Sequence, residues 1–170
     1  MPQNVSIQLS ETWKSICDQY SALDHHLTVE LTTKNLDAFV AAFYKQILLE
    51  PESAEYFSDN IIQKRLIDTL KAWLLETFNV ALNGQYESAV LRQQKVGNVH
   101  ARVGIPSWLI MRGVREIERT MFEYIASDNS TNYMNVVSYV VQLLGFSTEI
   151  MCRTYEDKTA KNHEVKHSYR

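Results

Sequence analysis

Glycine and proline are scarce in this chain, at five and three of 170 residues. Sandwiches, barrels and βαβ folds need frequent turns, and turns draw heavily on those two residue types. Their scarcity excludes such folds and leaves long helices with few connections. Cysteine is scarcer still. Cys17 and Cys152 stand far apart, which excludes a disulfide framework and any cysteine-based metal pattern. Both read as free thiols packing as small apolar residues in a reducing cytosol. An excess of positive charge is missing too. The formal net charge is -3, with no basic stripe for nucleic acid or for an anionic membrane. No stretch approaches the roughly 20 apolar residues of a bilayer span, and residues 1–12 lack the basic and apolar regions of a signal peptide. The expectation is a cytoplasmic globular protein. Its hydrophobic fraction of 45% is enough for one real core.

Helical periodicity and caps divide the chain into seven or eight segments. A first covers residues 10–31, broken near Ser21 to Asp24. A second starts at Thr33, where Leu36, Phe39, Val40, Phe43, Tyr44 and Ile47 follow the three-four spacing of an apolar helix face. Pro51 suits the first turn of a short helix ending near Ser58. A longer helix over 59–82 aligns Ile62, Leu66, Thr69, Leu70, Trp73 and Thr77, and Asn83-Gly84 closes it. The stretch 85–103 is more polar and stops at Gly104-Ile105-Pro106, after which a helix runs to about Ala126. Residues 128–130 read as a loop and cap.

The last helix, from about Thr131, is apolar on two sides. Val136, Val140, Leu143 and Ile150 form one stripe; Val137, Val141, Leu144 and Met151 form another. One stripe can face the domain's own core, and the other then calls for a second chain. Gly113 and Gly145, inside helices, suggest close approach of another backbone. These features together point to a homodimer through the last two helices. Residues 1–155 read as the folded domain and 156–170 as a polar linker.

Five histidines could carry chemistry. His25 and His26 are adjacent, do not share a helix face, and read as solvated or capping. His163-Glu164-Val165-Lys166-His167 matches a zinc-protease pattern, but it lies in a polar tail without a downstream third ligand or a cavity to keep dry. His100 sits just before the Gly104–Pro106 break, with Val96 at i−4 and Gly97 at i−3 on its face. Taken alone it reads as a partly buried histidine bonded to a neighbouring carbonyl.

The segment 96–117 closely resembles the proximal region of globin-coupled sensors, above all in His-Ala-Arg-Val-Gly-Ile-Pro at 100–106. Phe43-Tyr44, followed by Leu48 and Pro51, resembles that family's distal-tyrosine helix. Arg65-Leu66-Ile67-Asp68-Thr69-Leu70 resembles the distal helix that follows it. The resemblance runs from about residue 13 to residue 155. It implies an all-α, globin-like sensor fold with an extra N-terminal helix and a dimer bundle made by the last two helices. It implies haem b as cofactor, His100 as the proximal iron ligand, and Tyr44 as the distal hydrogen-bond donor. Leu66 and Thr69 correspond to side chains that tune ligand access, and Phe43 and Phe57 to ring-lining positions. Trp73 and Leu70 suit either that pocket or a plain core role.

A single histidine leaves one axial position for O₂, CO or NO. A donor such as Tyr44 would retain bound O₂, which takes on negative charge. The plainer role for Tyr44 is a core hydroxyl bonded to a backbone carbonyl; Thr69 would equally bond back to its own helix. The leading expectation is an O₂-sensing domain that governs an attached output module, most closely a diguanylate cyclase making cyclic di-GMP from GTP. No cyclase signature lies within the chain itself, so the chain is expected to be non-catalytic. The alternatives are a haem-free globin-like dimeric module acting through protein contacts, and a haem enzyme such as a nitric-oxide dioxygenase.

Overall fold

The computed structural model describes the backbone of residues 3–56, 60–127 and 133–168, with side chains described at 5–53, 56, 66–127 and 133–160. These residues form α1 (Gln3–Cys17), α2 (Ala22–Ile47), a 3₁₀ turn (Pro51–Tyr56), α3 (Asn60–Asn83), α4 (Tyr86–Val103), α5 (Ser107–Ser127) and α6 (Tyr133–Ser168). No strand occurs among them.

Local chemistry sets most of the boundaries. Ser21 caps α2 through a reciprocal box: its hydroxyl accepts the Asp24 N–H, and the Asp24 carboxylate accepts the Ser21 N–H. This is the break expected near Ser21. The further boundary expected at Thr33 is absent, because α2 runs through it. Thr28 and Thr32 return their hydroxyls to the carbonyls of Asp24 and Thr28, which keeps these polar, β-branched residues inside the helix rather than at a cap. Gly84 and Gly104 end α3 and α4 in the left-handed region, at φ of 67° and 82°, where a side chain would be strained. Residues 128–130 lie outside the described residues.

α1 organises the layers. Gln94 of α4 bonds to Ser6 near the start of α1, while Tyr86, at the start of α4, lies close to Lys14 and Cys17 near its end. Trp13 meets Phe146 of α6 edge-on, and Tyr20 reaches Ser138, earlier in α6. α1 is therefore antiparallel to both α4 and α6, so α4 and α6 run parallel to each other. The core between these helices includes Trp13, Phe39, Phe78, Tyr139, Leu143 and Leu144, each fully buried. His25 donates to the Cys17 carbonyl at the end of α1, the capping role expected of it, and His26 is exposed. Both cysteines are free thiols, Cys17 buried and Cys152 half-buried.

Three expectations need correction. The second stripe of α6 is largely covered by its own chain: Leu144 and Met151 are buried and Val137 half-buried, leaving Val141 42% exposed. Gly113 marks the approach of the Phe43 ring rather than of a backbone; at Gly145 a side chain would meet no atom of the described chain within 4 Å. Within Tyr133–Ala160 an 18-residue window has a mean hydropathy of 1.2 and is long and apolar enough to cross a membrane, although no such stretch was expected. Half of that apolar window is buried inside the fold, as a core helix requires. α6 then continues without a break through residue 156 to Ser168, so the polar tail extends a core helix. The side chains of the His-Glu-Val-Lys-His match lie outside the described ones.

Candidate functional site

α3 and α4 are joined by the short turn at Gly84–Gln85 and form an antiparallel pair. The buried amide of Gln93 crosslinks them. It accepts the Trp73 indole N–H at 2.5 Å and donates to the Thr77 hydroxyl at 3.4 Å. Trp73 is thus committed to the core rather than to a ligand pocket. Counting away from this crosslink, Leu66 precedes Trp73 by seven residues and His100 follows Gln93 by seven. At a rise of about 1.5 Å per residue each lies roughly 10 Å along its own helix from the crosslink. Leu66 and His100 therefore lie on the same side of the crosslink, one on each helix of the antiparallel pair.

His100 is held on both its ring and its backbone. Its Nδ1 lies 2.8 Å from the Val96 carbonyl, which can only accept, so Nδ1 carries the proton and Nε2 carries the lone pair. Burial pushes the imidazole pKa down, opposed by the bond to Val96, and the neutral form results at pH 7. Among the described residues, Nε2 has no protein partner. One turn back, Gly97 seats α4 directly on α6: a Cβ there would collide with the Met151 carbonyl oxygen. The His100 carbonyl receives the N–H groups of both Gly104 and Ile105, which closes the helix one turn beyond it.

α2 provides the other predicted residues. The rings of Phe43 and Tyr44 meet edge-to-face with centroids 5.0 Å apart, and Phe43 fills the space that Gly113 leaves on α5. Tyr44 is half-buried, and desolvation pushes its phenol pKa up, so its hydroxyl stays protonated and able to donate. On α3, Leu66 and Leu70 are half-buried and Thr69 is exposed. Phe57 lies outside the described residues.

This arrangement suits a cofactor that brings most of its own metal ligands. Among the described residues, no group of three or more His, Cys, Asp or Glu side chains could hold a metal ion. A neutral imidazole with one nitrogen pinned and the other carrying a lone pair is a single strong axial donor. Two surface grooves elsewhere, of about 690 Å³ between α1 and α6 and about 500 Å³ beside α2 and α5, carry no histidine or cysteine. Sequence reasoning missed Gln93 and the seating role of Gly97. Gln93 falls in a stretch that reads simply as polar, and a helical glycine shows its purpose only when its neighbour is known.

Residues 26–161 match the family model described as Protoglobin. Diguanylate cyclase DosC of Shigella boydii serotype 4 (strain Sb227) is 20% identical over 161 residues, covering 92% of this chain and 35% of that protein. DosC of Escherichia coli (strain K12) is 19% identical over the same length and coverage. The chain thus spans about a third of the length of the curated relatives it matches. The globin domain of E. coli DosC in its ferric form superposes with a TM-score of 0.81 at 19% identity, covering 86% of this chain and 99% of that one. The globin domain of a Geobacter sulfurreducens globin-coupled sensor does so at 0.72 and 20%, covering 85% and 96%. Identities this low speak to fold, and the fold is the expected all-α, globin-like one.

Proposed function

The chain belongs to the Protoglobin family, and from that membership we propose that it is a haem-based gas-sensing domain in which His100 is the iron ligand. The observation that carries this reading is the His100 ring, pinned at Nδ1 by the Val96 carbonyl so that Nε2 keeps its lone pair for a metal. Haem b, held by His100, would supply the iron that binds O₂, CO or NO. The remaining roles belong to the chain. Tyr44 would donate a hydrogen bond to a bound diatomic, since its phenol stays protonated and a charged acceptor is a strong one. Leu66 keeps water from the binding face, Phe43 and Phe57 line the ring, and Thr69 borders the same face. Leu70 is a further contact on that side.

The signal leaves through α4. Because Gly97 rests on the α6 backbone, displacement of His100 would move α6 without compressible side chains between the two helices. α6 runs on to Ser168, and residues 156–170 serve as the link to an output module. The relatives named diguanylate cyclase support a cyclase making cyclic di-GMP from GTP as that module, in a cytoplasmic protein. Exposed Trp108 and Met111 on α5, with Met134 and Val141 on α6, favour a homodimer through these helices.

An absorption spectrum of the haem-reconstituted protein tests the reading. We expect a Soret band that His100→Ala abolishes. An unchanged Soret band in that variant would refute the ligand assignment. Absence of the band from the parent protein, even after haem addition, would favour a haem-free module acting through protein contacts. Steady turnover with an added reductant would instead indicate a haem enzyme.

A further inference from the structure

The gap between α3 and α4 is closed at one end by Trp73, Gln93 and Thr77. Near the His100 end of α4 a different contact occurs. Tyr56, the last residue of the 3₁₀ turn, donates its hydroxyl to the Gly104 carbonyl at 2.9 Å, across 48 residues of sequence. That carbonyl belongs to the Gly104–Ile105 peptide, whose own N–H donates to the His100 carbonyl at 3.0 Å. One peptide unit thus accepts from Tyr56 on one side and caps His100 on the other. Accepting a bond at the carbonyl polarises the N–H of the same unit and strengthens what it donates. The turn itself is anchored, because Glu50 just before it pairs with Arg112 of α5 at 2.5 Å.

We propose that Tyr56 is a positioning residue for His100, tying the segment that follows the Tyr44 helix to the end of the helix that carries the axial imidazole. The hydroxyl fixes the Gly104–Ile105 peptide, the peptide fixes the His100 carbonyl, and the last turn of α4 is thereby held in one position. A ligand that displaces α2 or the 3₁₀ turn would pull on the His100 helix through this strap. Sequence pattern does not show it, since a tyrosine beside a proline turn reads as an ordinary surface aromatic.

The proposal rests on reading His100 as the iron ligand, and the experiment separates the two. In the haem-loaded protein, Tyr56→Phe removes one hydroxyl and keeps the ring. Tyr20→Phe is the matched control, because Tyr20 spends its hydroxyl on Ser138 at the opposite end of α1's packing, away from α4's last turn. We expect Tyr56→Phe to shift or broaden the iron–histidine stretching band of the ferrous, unliganded protein. Haem transfer to an acceptor globin should quicken by roughly 2- to 12-fold, the range of one net hydrogen bond. Tyr20→Phe should change neither. Identical bands and transfer rates in parent and Tyr56→Phe would overturn the positioning role while leaving His100 as ligand. Equal effects from both substitutions would also overturn it, since a general loss of stability would then explain them. A parent protein with no iron–histidine band would overturn both readings together.

Discussion

The helix that carries His100 meets a neighbour backbone to backbone, whereas the described contacts of the helix that carries Leu66 and Thr69 are made through side chains. α4 lies between α1 and α6, touches the α6 backbone at Gly97, and is capped at Gly104. α3 packs on α2 and is tied to α4 by Trp73 and Thr77 through Gln93, while two turns away Leu66 is only half-buried and Thr69 is exposed. Backbone contact transmits displacement, because it has no rotamers with which to absorb it. Half-open side chains transmit little. In the proposed reading the His100 side would couple, and the opposite side would tune the ligand's surroundings.

The sharpest way to break this contrast is at Gly97. Gly97→Ala forces a methyl group against the Met151 carbonyl, which cannot rotate away. We expect a loss of about 3 kcal/mol, or roughly 6–12 °C in Tm. Melting followed by circular dichroism checks it, and an unchanged Tm would mean that α4 is not seated as described. On the opposite side, Tyr44→Phe should leave the fold intact. It should speed O₂ dissociation by roughly 10- to 150-fold, as loss of a hydrogen bond worth about 1.5–3 kcal/mol to a charged partner implies. Stopped-flow off-rates equal to the parent's would assign the donor role elsewhere.

Gln93→Leu strands the buried Trp73 indole N–H and should lower urea stability by about 1–2 kcal/mol. Adding Trp73→Phe should recover part of that loss, because replacing both partners by apolar groups removes the stranded donor. A double variant weaker than the sum of the singles would contradict the crosslink. The smallest effect is expected for Thr69→Val. Its exposure limits the change to about 0.5 kcal/mol, equivalent to an O₂ off-rate within roughly 2.5-fold of the parent's. A large change would make Thr69 a direct ligand contact and bring the two sides closer in design.

Legibility followed the same division. The boundaries at Ser21, Gly84 and Gly104 were readable because each depends on residues within one turn. So was a neighbouring carbonyl as the partner of the His100 ring, which the structure identifies as that of Val96. The boundary expected at Thr33 failed because hydroxyls that often cap helices bond back to α2 instead. Gly113 looked like a site of backbone approach, yet it meets the Phe43 ring, and Gly97 is the glycine that rests on a backbone within the chain. The apolar side chains of α6 were identified correctly, but their partners were not. α4 lies against Met151, so a stripe that suggested a second chain is mostly interior.

By itself, the sequence determined the all-helical class and the breaks at Ser21, Gly84 and Gly104, and it pointed to a neighbouring carbonyl as partner of His100, because these arise between residues three or four apart. Its wording also carried the resemblance that made His100 the leading histidine. Only the tertiary structure decided that Gly97 rests on Met151, that Gln93 binds Trp73 and Thr77, and that Tyr56 reaches Gly104. Those contacts join residues between 16 and 54 positions apart, where no periodicity constrains the pair and packing alone selects the partner.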